Sequence, residues 1–169
     1  MKRIAIFEKV SFEQFKTAFD GVDEKIVKDI YDDVVLPKRA TFGSAGYDFF
    51  APYDVTLNKN ETVKIPTGVR VKIENGWFLA IYPRSGLGFK YRLQLDNTVG
   101  IIDSDYYYSD NEGHIFVKMT NDSKIDKTLT VKKGEGICQG IFTEFGVTYD
   151  DDVTVIRNGG FGSTDTKRN

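Results

Sequence analysis

From Val34 onward, short runs of alternating apolar and polar residues cover most of the chain. Over residues 68–73, Val69, Val71 and Ile73 alternate with Arg70 and Lys72, the pattern of a half-buried strand. Similar runs between Gly, Asn, Asp and Pro residues predict more strands, at 54–57, 62–65, 77–82, 93–95, 99–102, 115–120, 129–131, 137–142 and 153–156. So many short strands with turn signals between them predict an all-β fold, as a sandwich, a barrel or a jelly roll.

A helical periodicity marks the N-terminal part of the chain, after a short strand at 4–7. Ser11 and Gln14 have the spacing of a capping box, and phenylalanines follow at helical intervals, so we expect a helix that ends near Gly21. A second helical pattern covers about 23–33. The sequence therefore predicts an extra helical segment at about 11–33, whose apolar faces belong to a core or an interface: Phe12, Phe15 and Phe19 on the first helix, and Ile26, Val27, Ile30 and Tyr31 on the second.

The last residues, about 157–169, differ from the rest because they are rich in glycine and contain one aromatic ring. We expect a mobile C-terminal tail there. No linker, repeat or low-complexity tract interrupts the preceding residues, and 169 residues suit one domain with a substantial core. The expected organisation is a single domain over 1–169.

Composition and charge exclude several classes of protein. Hydrophobic residues make up 40% of the chain, and the formal net charge is −2, so there is no global basic field that would attract nucleic acid. No apolar stretch is long enough to span a bilayer. The N-terminal residues reach charge too soon for a secretory signal, and the single cysteine, Cys138, fits a reducing compartment as a core thiol. We therefore expect a cytoplasmic protein.

The stretch 97–106 contains the most informative polar residues. An apolar run with Gly100 inside it ends in Asp103 and Asp105, and Tyr106 follows. A glycine inside a strand indicates close approach by another group. On a continued strand the two carboxylates would share a face, which requires a cation, a proton or solvent nearby. The alternative is a strand that runs into a solvated turn.

Arg84 and Ser85 lie where a predicted strand gives way to a possible helix at 85–90. An arginine fork and a helix N-terminus are both suited to phosphate, although an ordinary surface turn has the same residues. Gln139, on a later strand, could donate to a phosphate oxygen or pair with a neighbouring backbone group. Each signal alone is weak.

Asp48 lies among apolar residues, and a buried acid needs a donor or a metal-bound water as its partner. In the tail, glycines flank Phe161, whose ring could cover a base, and their N–H groups could bind an anion. His114 is the only histidine, so a metal held by His and Cys ligands is excluded. A metal would be a hard cation held by oxygen, most simply Mg²⁺ carried on phosphates.

Together these segments resemble the five ordered motifs of the trimeric deoxyuridine triphosphatase (dUTPase) family. The motifs are 45–48, 83–86, 100–106, the strand around Gln139, and 157–164. The resemblance spans about 34–164 and implies a jelly-roll-like β fold. It also implies a homotrimer with shared active sites and the Mg²⁺-dependent hydrolysis of dUTP to dUMP and pyrophosphate. That reaction limits uracil incorporation into DNA and supplies dUMP.

By this resemblance, Asp103 is the general base that activates the attacking water, and Tyr106 packs under the deoxyribose and excludes a 2′-hydroxyl. Backbone near Asn97, Gly100 and Ile102 reads the uracil edge. Asp48 supports the metal and its waters, and no protein side chain binds Mg²⁺ directly. The resemblance assigns the triphosphate to Arg84, Ser85, Gly86, Gln139, Arg157, Gly162, Ser163 and Thr164, and the cover over the uracil to Phe161.

The chain departs from the family pattern at three places. The loop at 107–113 is longer and more acidic, the helical segment at 11–33 is additional, and in the tail Arg157 lies closer to the glycine pair while Asp165 replaces a glycine. Two other functions stay open. One is the related dCTP deaminase, and the other is a binding module that keeps the nucleotide pocket and contacts a protein through the extra helices and the loop.

Overall fold

A computed structural model describes residues 1–155 of the chain. Within these residues, three α-helices, α1 (Phe12–Lys16), α2 (Glu24–Asp32) and α3 (Ser85–Tyr91), and one 3₁₀ helix (Ser104–Tyr108) accompany twelve strands. The strands are β1 (Ala5–Lys9), β2 (Lys38–Arg39), β3 (Tyr47–Phe50), β4 (Val55–Leu57), β5 (Thr62–Pro66), β6 (Val69–Ile73), β7 (Trp77–Pro83), β8 (Leu93–Leu95), β9 (Gly100–Ile102), β10 (Phe116–Asn121), β11 (Leu129–Val131) and β12 (Gly136–Glu144).

The strands form antiparallel sheets around one buried apolar cluster. The largest sheet has the order β2-β3-β12-β7-β9, and a second sheet has the order β5-β10-β8. β4 pairs with β11, and β1 pairs with β6. Leu79 and Ile137 lie inside the cluster with no exposed surface, as alternation along half-buried strands requires. This arrangement confirms the predicted all-β sandwich of the jelly-roll type, with an additional N-terminal helical segment.

Strand β7 lies between β12, the central strand of the largest sheet, and β9, one of its edge strands. It pairs with β12 on one side, where Pro83 lies opposite Cys138, and with β9 on the other, where Leu79 lies opposite Ile102. Cys138 is fully buried, which confirms its prediction as a core thiol and raises the pKa of the thiol well above its usual range. Strand β7 therefore joins two segments that are distant in the sequence, β9 and β12.

The helical segment begins as predicted but is shorter in its first helix. Ser11 is the N-cap of α1, and its hydroxyl accepts a bond from the N–H of Gln14. The prediction that this helix ends near Gly21 is wrong, because α1 ends at Lys16 and tighter turns follow, in which the N–H of Phe19 donates to the carbonyl of Lys16. Phe15 is nevertheless fully buried in the main core.

Two other sequence predictions are corrected by the structure. On α2, Val27 is fully buried, but Ile26 is 55% exposed and does not share its face. The helix turns by about 100° per residue, so neighbouring residues point in different directions. The predicted strand at 153–156 is absent where the structure describes it, since residues 153–155 have no strand conformation and residue 156 lies outside the described range. The described residues contain no helix that is long and apolar enough to cross a membrane.

His114 is buried in the core in its neutral form. The N–H of Gly68 donates to its Nε2 atom at 3.0 Å, and the ring lies 4.2 Å from that of Phe116, centroid to centroid. Burial lowers the pKa of His114 from 6.5 to about 4, and the charge of the nearby Glu112 carboxylate offsets only part of this shift. The histidine is therefore a structural residue whose protonation opposes folding.

We expect the free energy of unfolding to fall as the pH falls from 6.5 to about 4. In that window the unfolded state binds a proton that folded His114 does not, which amounts to about 3 kcal/mol. His114→Gln keeps an oxygen that can accept from Gly68 but does not titrate. Urea unfolding at pH 7 and pH 4 should therefore show a smaller loss in the variant, and equal losses in both proteins would contradict this assignment.

Candidate functional site

The end of β7 brings three of the predicted site residues together. Arg84 follows β7 and is the N-cap of α3, so its side chain leaves the sheet beside β3 and β12. Its Nε atom lies 3.1 Å from Oδ1 of Asp48 on β3, and Nη1 donates to the carbonyl of Gly136 on β12 at 3.3 Å. Asp48 thus has the partner that its apolar surroundings predicted.

Gly136 has no side chain, which leaves space for the Arg84 guanidinium. A Cβ atom at position 136 would lie 2.5 Å from Nη1 of Arg84, which is too close for van der Waals contact, so a larger residue there would displace the arginine. The strand is irregular at this point, with a shift in register between Gly136 and Cys138. Nothing in the local sequence pattern predicts this role, because it depends on a side chain 52 residues away.

Gln139 lies in the same group. It is the β-sheet partner of Asp48 on one side and of Tyr82 on the other. Its Nε2 atom donates to the carbonyl of Pro83 at 3.2 Å, which is the backbone pairing that the sequence left open as one alternative. Ser85 and Gly86, in the first turn of α3, are exposed beside it. The group combines a guanidinium, an amide and free backbone N–H groups, the donors that suit a polyphosphate.

The second group of predicted residues lies on and around β9. Gly100 faces Ile81 of β7, and a Cβ atom at position 100 would lie 3.2 Å from the Ile81 Cβ, which confirms the predicted close approach. Asn97 is exposed in the turn before β9, and Ile102 is buried at its end. These residues line a cavity of about 500 Å³ together with apolar side chains of β8 and β10.

The two aspartates do not continue the strand. β9 ends at Ile102, Asp103 occupies the N-cap position of the 3₁₀ helix, and Asp105 lies inside that helix. Of the two alternatives that the sequence left open, the structure has the strand that runs into a turn, and the period of two ends with the strand. Asp103 is partly exposed at the mouth of the turn. Asp103 is therefore the first carboxylate after β9, and Asp105 belongs to the helical turn that follows.

Tyr106 is fixed by bonds at its hydroxyl. The hydroxyl donates to the carbonyl of His114 at 2.9 Å and accepts from Nδ2 of Asn111 at 2.8 Å, and the residue is only 4% exposed. The part played by Asn111 was not apparent in the sequence, since an asparagine in an acidic loop gives no signal of its partner.

Asp103 and Arg84 lie at opposite ends of β7, whereas Gly100 of the β9 group pairs with Ile81, nearer to Arg84. Because β9 is antiparallel to β7, Asp103 follows the pair Leu79–Ile102, whereas Arg84 follows the pair Pro83–Cys138. At about 3.3 Å per residue, the backbone positions of the two residues are roughly 20 Å apart along the strand direction. One chain therefore does not place Asp103 beside Arg84 and Gln139.

The remaining site predictions lie outside the described residues. Arg157, Phe161, Gly162, Ser163 and Thr164 belong to this part of the chain, as does the predicted mobile tail. Within residues 1–155 no cluster of three or more His, Cys, Asp or Glu side chains could hold a metal ion. The carboxylates of Asp48 and Asp103 offer hard oxygen atoms, which are the donors that suit Mg²⁺.

Comparison with known proteins gives a consistent result. The family model described as dUTPase matches residues 32–165. A deoxyuridine 5′-triphosphate nucleotidohydrolase of Lactococcus lactis is 43% identical over 132 residues, covering 76% of this chain and 87% of the relative. The crystal structure of dUTPase from Streptococcus mutans is 35% identical, with a TM-score of 0.63, and the match covers 84% of this chain and 97% of that one.

A more distant structural neighbour covers more of the chain. The Staphylococcus bacteriophage 80alpha dUTPase, solved with dUpNHpp, has a TM-score of 0.64 at 21% identity, and the match covers 98% of this chain and all of the phage protein. At that identity the likeness concerns the fold alone.

Proposed function

This chain belongs to the dUTPase family and is a dUTP diphosphatase, and we propose that it hydrolyses dUTP to dUMP and pyrophosphate at a site shared between subunits. The observation that carries the proposal is the cluster of Asp48, Arg84 and Gln139 at one end of β7. This cluster holds a guanidinium and an amide, both of which can donate hydrogen bonds to a triphosphate. The carboxylate at the end of β9 supplies the second requirement, a base.

We assign the activation of water to Asp103. Water that attacks phosphorus must lose a proton, and a carboxylate placed by a strand end and a helical turn can accept it. Tight placement matters as much as basicity, because an oriented water converts an encounter into an intramolecular step. The N-cap position gives Asp103 such a fixed backbone.

Binding of the negatively charged triphosphate is assigned to Arg84, Ser85, Gly86 and Gln139. Arg84 offers a planar fork of donors, and its ion pair with Asp48 keeps the guanidinium near the end of β7 before substrate arrives. Mg²⁺, when bound to the substrate phosphates and water, would neutralise charge that develops on the leaving pyrophosphate. Asp48 is the residue that would support the water around it. Arg157, Gly162, Ser163 and Thr164 are proposed to complete the contacts.

Recognition of the nucleoside is assigned to the β9 region. The backbone near Asn97, Gly100 and Ile102 would read the uracil edge and leave no room for a 5-methyl group, and Phe161 would cover the base. Steric exclusion is the effective device here, since a missing methyl contact changes binding by only about 1–3 kcal/mol. Tyr106, fixed at its hydroxyl, would exclude a 2′-hydroxyl.

A homotrimer with shared sites would resolve the separation along β7. Because Asp103 and Arg84 lie at opposite ends of that strand, a complete site needs Asp103 from one subunit and Arg84 from another. We further propose that residues 1–169 act as a single dUTPase domain in the cytoplasm. A protein partner at the extra helices would be an addition to catalysis.

The test is pyrophosphate release from dUTP, measured beside dCTP, dTTP and UTP, with Mg²⁺ and with a chelator. We expect rapid hydrolysis of dUTP alone, dependent on Mg²⁺. Ammonia release from dCTP would favour the deaminase instead. Tight dUTP binding by folded protein without any hydrolysis would favour the binding module.

A further inference from the structure

The two segments that set this chain apart, the helical segment at 11–33 and the loop at 107–113, contact each other. Both oxygens of the Glu112 carboxylate accept bonds from Ser11, the N-cap of α1: the N–H donates at 2.7 Å and the hydroxyl at 2.6 Å. These bonds join residues that are 101 positions apart. Bonds to a charged acceptor are stronger than those between neutral groups.

The start of the same loop is held as well. The hydroxyl of Tyr107 donates to Glu8 on β1 at 2.6 Å. Arg70 on β6 pairs with Glu8 at 3.1 Å, and its guanidinium lies over the Tyr107 ring, 4.4 Å from the centroid. The loop is therefore fixed at both ends by the N-terminal strand and helix.

A short path leads from Glu112 to the site. Its neighbour Asn111 donates to the Tyr106 hydroxyl at 2.8 Å, and the carbonyl of Asn111 accepts from the N–H of His114 at 3.0 Å. The same Tyr106 hydroxyl donates to the His114 carbonyl. The position of the Tyr106 ring thus depends on the conformation of residues 111–114. That conformation includes Glu112 in the left-handed region, with φ of 56°, which a non-glycine residue adopts only when other contacts hold it.

We propose that the N-terminal helical segment positions Tyr106 through the bonds between Ser11 and Glu112, and so contributes to selection of the deoxy sugar. Glu112 is a positioning residue, since it acts on the site through Asn111 and Tyr106. This inference rests on the proposed function, in which Tyr106 excludes a 2′-hydroxyl. The helical segment at 11–33 then has a role in substrate selection in addition to its packing against the core.

The test measures kcat/KM for dUTP and for UTP in Ser11→Ala, Glu112→Ala, Glu112→Gln and the double variant Ser11→Ala with Glu112→Ala. Glu112→Ala removes the hydrogen bonds to the charged carboxylate. The preference for dUTP, measured as kcat/KM for dUTP divided by kcat/KM for UTP, should therefore fall about tenfold. Ser11→Ala should lower this ratio less, because the backbone N–H of residue 11 can still donate to the Glu112 carboxylate. The double variant should show nearly the same kcat/KM ratio as Glu112→Ala, since both substitutions remove the same interaction, the contact between Ser11 and Glu112.

Glu61→Ala is the matched control. Its carboxylate also accepts a backbone N–H and a side-chain donor of one residue, Asn58, at 2.6 and 3.3 Å, in the turn between β4 and β5. This variant should keep the wild-type ratio. If Glu112→Ala does not fold, Glu112→Gln decides the matter, because it keeps the volume and removes the charge.

The outcomes separate the inference from the function on which it rests. Folded Glu112 variants with the wild-type ratio, even at lowered thermal stability, would overturn the inference and leave the proposed function intact. A wild-type protein that hydrolyses neither nucleotide would overturn the proposed function, and the inference with it.

Discussion

Replacing Asp103 by Asn should lower kcat for dUTP hydrolysis by about 10²–10⁴-fold, the usual contribution of a general base. The amide has nearly the same shape as the carboxylate but cannot accept the proton of the attacking water. Since Asp103 begins a helical turn without a side-chain cap bond, the substitution leaves the local backbone bonds intact. Single-turnover pyrophosphate release, with dUTP binding measured by calorimetry, separates the loss of chemistry from a loss of affinity.

Asp110→Asn is the matched control for this experiment, because Asp110 is an exposed carboxylate in the following loop. It should retain wild-type kcat. A folded Asp103→Asn protein with near-normal kcat would exclude Asp103 as the base.

Replacing Arg84 by Ala should lower kcat/KM for dUTP by about 10²–10³-fold, as loss of a preorganised charge contact commonly does. Two effects act together: the donors to the triphosphate are lost, and the Asp48 carboxylate, 3.1 Å from Arg84 Nε in the wild type, is left without that cation near an anionic substrate. Arg84→Lys should recover only part of the loss, since an ammonium does not reproduce the planar fork. Steady-state kinetics across salt concentrations would measure both variants.

Lys2→Ala provides the comparison, because it removes a cation from an exposed ion pair with Glu74. Such pairs contribute little, so its kinetics should match the wild type. An Arg84→Ala enzyme as active as Lys2→Ala would remove Arg84 from the phosphate site.

The sequence predicted the fold class well, because the strand signal is local. Alternation in β6 and the turn residues beside it determine where strands lie, and buried residues such as Val69 and Val71 follow from the same pattern. Ser11 was likewise recognisable as an N-cap, from its spacing to Gln14 three residues later. The first helix was predicted too long because, after Lys16, the backbone hydrogen bonds join residues three apart instead of four. The spacing of apolar residues does not distinguish such tight turns from an α-helix.

The candidate site was only partly predictable, because its contacts join distant residues. The motifs named Asp48, Arg84 and Gln139, but their convergence depends on β3, β7 and β12 being neighbours in one sheet. The steric role of Gly136 follows from that same convergence. A sequence does not display such contacts, because each depends on strand order rather than on local spacing.

The direct test of a site shared between subunits is a mixing experiment with Asp103→Asn and Arg84→Ala. The two inactive proteins are unfolded together in equal amounts, refolded, and assayed for dUTP hydrolysis beside each protein refolded alone. If a site takes Asp103 from one subunit and Arg84 from another, random trimers should regain about one quarter of wild-type activity. Mixed trimers with no more activity than the separate variants would contradict the account and place both residues of a site on one chain.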